Sequence, residues 1–536
     1  MKYTDMKFRT FTLCLLLLGF IAPVSGQTGM DDPLTQAMMK AYQDLLDEDP
    51  RDYETLFRRA SEYYKHNDYP RALTDINEAI RVMPEDDPDI RYQAHQLRAN
   101  IYMQTGRYDN AVNDLNSVLS INPTDYITIY QRGTAYYDLG RYEDAKNDFN
   151  ALRKMNARSQ EALFGLARIA VKENNIGMAN DLCDEAVTLT PGVSDVYIRR
   201  ASVRSMMGNV PGAVEDYIIA ISTDQANTPR ALSELALLSR TDYPVVISGL
   251  SKAISQAPKI GMFYYIRAMI AQSHCHYSAA IADYDRILTD HLDTYPGINA
   301  SLCECYYALG QYDTALLNAD YAVGATHDNK AYYVLKSDVE RALGNYDTAL
   351  ACAESSLEKD PNYNPALVAK ALAQISLKEY AEASVALSEA AMNEAENPYI
   401  FMLRAWVLGE YRNQKANAES CYERILDMDF KSDDVTSLRG FALLYLGREI
   451  EGDDWMETIL ESVDDYDGMV NYYGACYWGA RGDLNRAFAC METSLEKGYA
   501  NYHNWTRADD ARVNAAPLRD DPRFKQLLEK YARIFK

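Results

Sequence analysis

One segment recurs along the chain at a nearly fixed period. Residues 132–149 read RGTAYYDLGRYEDAKNDF, residues 98–115 read RANIYMQTGRYDNAVNDL, and residues 59–76 read RASEYYKHNDYPRALTDI. Further copies begin at Arg200 and Arg267, so successive starts lie 39, 34, 68 and 67 residues apart, close to multiples of 34. A unit of this length cannot bury its apolar face alone, and the period therefore predicts an array of stacked units.

Each unit predicts two amphipathic helices around a turn. Gly133 lies on the inner face of the first helix, and Ala145 and Phe149 lie four residues apart on one face of the second. Gly140 lies between them, where the chain has to reverse. The repeat therefore predicts an all-α solenoid of helical hairpins.

An arginine eight residues before the turn and an aspartate eight residues after it are predicted to meet. Residues equally far from the turn of an antiparallel hairpin lie at the same height. Five of the nine cleanest units carry both residues, as Arg59 with Asp75, Arg98 with Asp114, Arg132 with Asp148, Arg200 with Asp216, and Arg267 with Asp283. The other four carry neither, with Leu166, Leu302, Lys336 or Lys370 first and Leu182, Asn318, Cys352 or Ala386 second. We interpret the pairs as structural, bidentate ion pairs.

The pattern resembles the tetratricopeptide repeat family over roughly residues 51–500, through its period, its small–x–x–Tyr and Gly–x–Tyr–x–x–Ala spacings and its closing Asn/Asp-Pro. The resemblance implies a right-handed superhelix of about 12 to 13 hairpins with capping helices. It also implies a concave groove, lined by the first helices, that binds a protein or peptide.

The resemblance further implies which side chains face the groove: those two before, two after and five after the arginine position. The groove residues predicted in this way are Phe57, Tyr64, Gln96, Asn100, Met103, Tyr130, Thr134, Tyr137, Phe164, Tyr265, Met269 and Tyr307. The same positions in later units hold Gln272, Ala300, Glu304, Val334, Asp338 and Arg341.

The repeat frame also predicts the organisation of the chain. The predicted segments are a signal peptide (1–26), an amino-terminal capping helix (27–50), units one to five (51–225), a degenerate unit (226–260), units seven to ten (261–395), irregular helical units (396–465), and a last hairpin with a capping helix (466–536). The degenerate and irregular segments are either bends or places that hold a partner, or they reflect ordinary decay of the repeat.

The first 26 residues have the pattern of an export signal. Lys2, Lys7 and Arg9 precede the apolar stretch 11–22, which is too short to span a bilayer, and small residues follow it. An uncleaved anchor is the alternative. Cleavage would remove three basic residues and one acid, making the net charge of −24 more negative by two. Such a charge disfavours nucleic acid and anionic membranes as partners, and we expect no stable membrane insertion after cleavage.

Motifs for catalysis, cofactors or metal binding are not recognisable in the sequence. The segment SHCHY (273–277) could offer metal ligands, but adjacent side chains rarely point at one centre, and a polar turn is the favoured interpretation. The eight cysteines after residue 26 are scattered, and we expect most of them to be buried helix residues.

These observations predict a non-catalytic interaction scaffold that needs no cofactor and binds a protein or peptide in its groove. Export suggests the periplasm or cell envelope of a Gram-negative bacterium. The alternative hypothesis is an envelope enzyme or glycan-binding component with an unrecognised site in residues 396–465.

Overall fold

The computed structural model describes residues 33–84, 86–224, 228–292, 294–295, 297–429, 433–507 and 513–535. The predicted signal peptide lies outside these residues. Within the described part, the chain forms 28 α-helices and no β-strand. The predicted all-α hairpin fold is confirmed, and the hairpins are arranged in two compact units that divide at Leu235 and Ala236.

The first unit begins with a single helix, α1 (Pro33–Glu48), which packs on the first hairpin. Five hairpins follow, made of α2 (Tyr53–Lys65) and α3 (Tyr69–Val82), α4 (Pro88–Gln104) and α5 (Tyr108–Ile121), α6 (Tyr126–Asp138) and α7 (Tyr142–Met155), α8 (Gln160–Lys172) and α9 (Ile176–Leu189), and α10 (Ser194–Met206) and α11 (Val210–Thr223). The five extra residues between the first two repeats lengthen α4 at its start, where Pro88 occupies the first turn.

The boundary between the units falls within α12 (Thr228–Gln256), which corresponds to the predicted degenerate unit. In the second unit this helix bends at Asp242 (φ −133°, ψ 40°), two residues before Pro244. Proline lacks the N–H that would continue the helix and restricts the residues before it, so the unit reverses here without a glycine turn.

The second unit continues with hairpins of the same kind. They are formed by α13 (Gly261–Ser273) and α14 (Tyr277–Thr289), α15 (Ile298–Ala308) and α16 (Tyr312–Ala325), α17 (Lys330–Leu343) and α18 (Tyr346–Lys359), α19 (Asn364–Ser376) and α20 (Tyr380–Asn393), α21 (Pro398–Trp406) and α22 (Lys415–Leu426), α23 (Asp433–Tyr445) and α24 (Glu449–Ser462), and α25 (Met469–Arg481) and α26 (Leu484–Glu496). The chain then forms α27 (Tyr502–Thr506), a 3₁₀ turn (Ala516–Leu518), α28 (Pro522–Lys530) and a last 3₁₀ turn (Ala532–Phe535).

The reversal inside a hairpin depends on one residue in the left-handed backbone region. Gly140 has φ +73°, and no heavy atom beyond its chain neighbours lies within 4 Å of where a Cβ would be. Glycine is preferred there for its backbone freedom rather than for lack of space. Asn67 and Asn174 take the same place in other hairpins, at φ +60° and +59°.

Close packing of successive hairpins depends on small residues around one ring. A Cβ at Gly133 would lie 3.0 Å from the ring of Phe149, and one at Gly165 would lie 2.7 Å from it. The ring is 1% exposed. Glycines on α6 and α8 therefore allow the Phe149 side chain of α7 to fill the space between two first helices.

All five arginines pair with the aspartate sixteen residues later. In the central repeat, Arg132 Nε donates to Asp148 Oδ2 at 2.9 Å and Nη2 donates to Oδ1 at 2.6 Å. The same two bonds recur in each of the other four pairs, and the aspartate side chains are at most 9% exposed. Burial disfavours the charge on Asp114, but hydrogen bonds from Arg98 and His95 outweigh it and lower the pKa of that carboxyl.

The third guanidinium nitrogen reaches the hairpin before, which the sequence reasoning did not foresee. Nη1 of Arg132 donates to Asn116 Oδ1 at 2.7 Å. The equivalent acceptors in the other units are Gln43, Asn77, Asp184 and Ser251, at 2.7 to 2.9 Å. Each arginine therefore joins the two helices of its own hairpin and also ties that hairpin to the preceding helix, which for Arg59 is the single helix α1.

Candidate protein-binding surface

The first helices of the first unit carry a row of half-buried side chains at the predicted groove positions. We call this surface the first-helix face, and it consists of Phe57, Tyr64, Gln96, Asn100, Met103, Tyr130, Gln131 and Thr134. These residues lie on α2, α4 and α6, which are the first helices of three successive hairpins. Gln131 was not among the predicted residues, since it lies one position before the arginine rather than two.

Amide side chains cross between two hairpins in the middle of this face. Gln96 Nε2 donates to Gln131 Oε1 at 2.6 Å, and Gln131 Nε2 donates to Asn100 Oδ1 at 2.9 Å. Thr128 Oγ1 donates to Gln96 Oε1 at 2.9 Å. These bonds hold the amides in fixed orientations, although Gln96, Asn100 and Gln131 remain partly exposed. Each amide offers both a donor and an acceptor group, which is what a peptide backbone also offers.

Charged groups follow at the end of the first unit. The Arg168 guanidinium lies over the Tyr137 ring, 4.1 Å from its centroid. Arg199 Nε donates to Asp195 Oδ2 at 2.5 Å, and Arg230 Nη1 donates to Asp195 Oδ1 at 2.6 Å. These paired charges lie along one side of the uncharged first-helix face.

Four of the predicted groove residues lie in the core instead. Tyr137, Phe164, Tyr265 and Met269 are 7%, 4%, 4% and 2% exposed. Arg168 covers Tyr137, and the ring of Tyr265 stacks on Tyr295 at 4.7 Å between centroids. Their position in the repeat is the predicted one, but neighbouring side chains and loops cover them.

In the second unit, the end of the unit covers its beginning. Tyr307, another predicted groove residue, has its hydroxyl 3.0 Å from Nε2 of His503, and the Tyr312 hydroxyl lies 2.8 Å from Nδ1 of the same ring. His503 is 8% exposed. Helix α27 contacts α15, and the final 3₁₀ turn contacts α14. The carboxyl-terminal part of the chain therefore covers the first-helix side chains at the start of this unit.

The segment His274-Cys275-His276 is the turn of the hairpin α13–α14. Cys275 has φ +59° and takes the place that Gly140 has in its repeat. His274 Nε2 lies 2.8 Å from Ser239 Oγ, and the His276 ring stacks on Tyr243 at 4.8 Å. Within the described residues no group of three His, Cys, Asp or Glu side chains could hold a metal ion. The eight described cysteines are free and buried, as most of them were expected to be.

The stretch 396–465, which the alternative hypothesis assigns to a catalytic or glycan-binding site, contains two hairpins. A π-helical turn, Val407–Tyr411, interrupts the first of them, and the Tyr411 ring stacks on Tyr380 at 4.1 Å. Trp455 Nε1 donates to the Thr436 carbonyl at 3.0 Å. Tyr411 stays 40% exposed but already stacks on Tyr380, and the Trp455 ring nitrogen is already bonded, so the alternative hypothesis gains no specific support from these contacts.

Family models identify the repeat. A TPR repeat model matches residues 99–140, and tetratricopeptide repeat models match residues 130–194 and 340–407. The chain carries tetratricopeptide repeats. The matched segments include the end of α4, all of α6, and also helices of the second unit.

Solved structures that resemble this tetratricopeptide repeat protein are themselves repeat proteins. Yeast Tom70 is 15% identical, with 76% of this chain and 99% of that chain covered and a TM-score of 0.36. A tetratricopeptide repeat protein from Parabacteroides merdae ATCC 43184 is 18% identical, with 54% and 98% covered and a TM-score of 0.28. YrrB, described as a TPR protein with an unusual peptide-binding site, is 19% identical, with 36% and 97% covered and a TM-score of 0.26. At these scores the neighbours add nothing about function.

A search of curated proteins finds no significant match to this tetratricopeptide repeat chain. Among its described helices, none combines the length and the apolar character that crossing a membrane requires.

Proposed function

We propose that this protein is a non-catalytic interaction scaffold of a bacterial cell envelope, which holds a segment of another protein on the first-helix face. The observation that carries the proposal is the row of half-buried aromatic, Met and amide side chains on α2, α4 and α6. Aromatic residues and Met are enriched at protein interfaces. Such a surface already excludes part of the water, so little further desolvation is needed when a partner binds.

The chemistry of the face favours a peptide segment over other partners. The amides of Gln96, Asn100 and Gln131 can pair with the N–H and C=O groups of an extended backbone, while Tyr130 and Phe57 offer apolar contact. The strongly acidic chain, with a net charge of −24, repels phosphate-rich partners. The proposed envelope location rests on the export pattern of residues 1–26.

Site-specific photo-crosslinking in envelope preparations of the native host tests this proposal. A photoreactive residue at Thr134, on the face, should capture one or a few discrete proteins. The same residue at Asn147, which is exposed on α7 away from the face, is the matched control. The variant Phe57→Ala, Tyr64→Ala, Tyr130→Ala should reduce the Thr134 product at least tenfold while its circular dichroism stays helical. Equal capture at Thr134 and Asn147, or capture that survives the triple substitution, would contradict the proposal.

A further inference from the structure

Helix α1 carries an apolar stripe that the rest of the described chain leaves open. Its two exposed leucines, Leu34 and Leu45, have 77% and 48% of their surface accessible. Two alanines between them are also exposed, and Met38 is half-buried. Spacings of three and four residues place these side chains on one face of the helix. We call this face the α1 stripe, and it consists of Leu34, Ala37, Met38, Ala41 and Leu45.

Helix α1 packs on the first hairpin through a neighbouring face. Thr35 and Leu46 are buried there, at 4% and 6% exposure, and the helix contacts α2. The terminal helix of a repeat array normally has a polar outer face, which closes the apolar core. The other end of the chain follows this rule, because α28 exposes Lys525, Gln526 and Glu529. The amino-terminal end does not follow it.

The hydrogen bonds of the repeat show which place α1 occupies. Arg59 Nη1 donates to Gln43 of α1, just as Arg132 Nη1 donates to Asn116 of α5. Helix α1 therefore stands where the second helix of a preceding hairpin would stand. Among the described residues no helix precedes it, so this second helix has no first helix of its own.

In a complete hairpin, the places that face the first helix are buried. In α5 these places hold Ala111, Asp114 and Val118, which are at most 3% exposed. When the helices are aligned on the acceptors of the arginine bonds, the corresponding residues of α1 are Met38, Ala41 and Leu45. Three members of the α1 stripe thus occupy core places of the repeat without a helix packed on them.

The chain before α1 is too short to supply the missing helix once the predicted signal is removed. The first helices α2 and α6 contain 13 residues each. Only residues 27–32 separate the predicted cleavage site from α1, and they read QTGMDD, with two acids and one large apolar side chain. Covering the α1 stripe therefore requires a helix from another molecule.

The α1 stripe is complementary to a second copy of itself. A hairpin needs an antiparallel neighbour, and a two-fold axis perpendicular to α1 generates one. With the axis between positions 39 and 40, Leu34 lies opposite Leu45 of the second copy. Met38 then lies opposite Ala41, so a long side chain meets a small one and the helices can approach closely. The seam residues also have the four–three–four spacing of paired helices, in the order Leu34, Met38, Ala41 and Leu45.

We propose that α1 packs antiparallel on α1 of a second copy of this chain, so that the protein forms a two-fold dimer through the α1 stripe. Each copy supplies the helix that the other lacks. The contact involves one 16-residue helix from each copy, which is less than a standard interface, so the dimer is weak and depends on concentration. The proposal does not rest on the first-helix face, because the two surfaces share no residue.

Sedimentation equilibrium of the chain that begins at Gln27 tests for the dimer. We expect a monomer–dimer equilibrium with a Kd of about 1 to 100 μM. Ala41→Glu should weaken it about tenfold or more, because two like charges would then lie within about one helical turn of each other in an apolar contact. Gln36→Glu adds the same charge to the polar face and is the matched control, which should dimerise like the wild type.

Both substituted residues are exposed in the single copy, so both variants should fold, which circular dichroism checks. A chain that stays monomeric up to about 500 μM would overturn the proposal, since binding weaker than this approaches the limit of specific association. Equal dimerisation of Ala41→Glu and Gln36→Glu would overturn it as well, because the contact would then lie elsewhere.

Engineered cysteines test the antiparallel arrangement. The eight described cysteines are buried, so a cysteine placed in the α1 stripe is the accessible thiol. A mixture of Leu34→Cys and Leu45→Cys chains should form a cross-linked heterodimer on mild oxidation. Leu34→Cys alone should not, because its two copies would lie about 16 Å apart along the helix, which is further than a disulfide reaches. No cross-link in the mixture, or an equal cross-link in Leu34→Cys alone, would overturn the antiparallel dimer.

Discussion

Arg132 donates a hydrogen bond to Asn116, the residue sixteen positions before it, at 2.7 Å. The same guanidinium holds Asp148, sixteen positions after it, so one side chain connects two hairpins. Where lysine replaces the arginine, the backward contact remains: Lys336 Nζ lies 2.7 Å from Asp320, and Lys370 Nζ lies 3.1 Å from Glu354. An ammonium group lacks the planar fork that forms a bidentate pair with a carboxylate, and these units lack the aspartate.

Asp148→Ala should destabilise the protein by about 3 kcal/mol. The carboxylate is 7% exposed, and its removal leaves the Arg132 charge without a counter-charge near the core. Urea unfolding followed by circular dichroism measures the loss. Asn116→Ala is the control and should cost about 1 kcal/mol or less, because Asn116 is exposed and its loss leaves the ion pair in place. A loss below about 1 kcal/mol for Asp148→Ala would show that the pair behaves like a surface salt bridge.

Gly165→Ala should destabilise the protein by about 1 to 3 kcal/mol, because the new methyl group would lie 2.7 Å from the Phe149 ring. Gly177→Ala is a matched control: Gly177 lies on α9 with no heavy atom near its Cβ position, so stability should stay the same or rise slightly. Thermal unfolding of both variants makes the comparison. Adding Phe149→Leu should recover part of the loss in Gly165→Ala, and absence of any such coupling would argue against steric overlap with the ring.

Gly140→Asn should cost less than Gly140→Val, although both remove the same glycine. The position needs φ near +73°, and asparagine already meets this need at Asn67 and Asn174. A β-branched side chain is strained in this region, so we expect Gly140→Val to lose roughly 1–2 kcal/mol or more. Equal losses for the two variants, measured by urea unfolding, would mean that space rather than backbone conformation limits the position.

Acidification should weaken the contact between the start and end of the second unit. Burial, helped by the nearby charges of Arg341, Arg507 and Arg519, lowers the pKa of His503 to about 3. Unfolded histidine has a pKa near 6.5, so between about pH 6.5 and pH 3 the unfolded chain holds one more proton at this residue than the folded chain. The contribution of His503 to the unfolding free energy is therefore fully present above about pH 6.5. It falls by about 1.4 kcal/mol per pH unit between about pH 6.5 and pH 3.

The variant His503→Gln isolates this effect. Glutamine does not titrate, so the difference in unfolding free energy between the wild type and the variant should shrink as the pH falls from 7 to 4. Urea unfolding across this range gives the slopes. Parallel slopes for the two proteins would show that His503 is not buried in its neutral form.

The hairpin and its ion pair could be predicted because the contacts that form them are close in sequence. Arg132 and Asp148 are separated by one turn and two short helices, and the repeat presents the pair five times. The turn at Gly140 has a chemical signature of its own. The backward bond to Asn116 was missed, although a polar residue recurs sixteen positions before the arginine position in most units; that signal was present in the sequence.

The binding surface could be predicted only in part. Spacing places both tyrosines among the groove positions, Tyr130 two before and Tyr307 five after the first place of its repeat, but only Tyr130 remains on an open face. The two tyrosines differ in exposure because His503, which lies 196 residues further along the chain, covers Tyr307. Periodicity reports the neighbours within a unit and between adjacent units, and it carries no information on such a distant contact.

Residue order alone predicts the repeating hairpin, its left-handed turn and its ion pair, because each depends on residues at most sixteen positions apart. Where a partner has access follows from the folded chain instead, because access depends on which distant segments bury which side chains. In the first unit the row on α2, α4 and α6 stays partly exposed, whereas in the second unit the end of the chain covers part of the equivalent row and encloses a cavity.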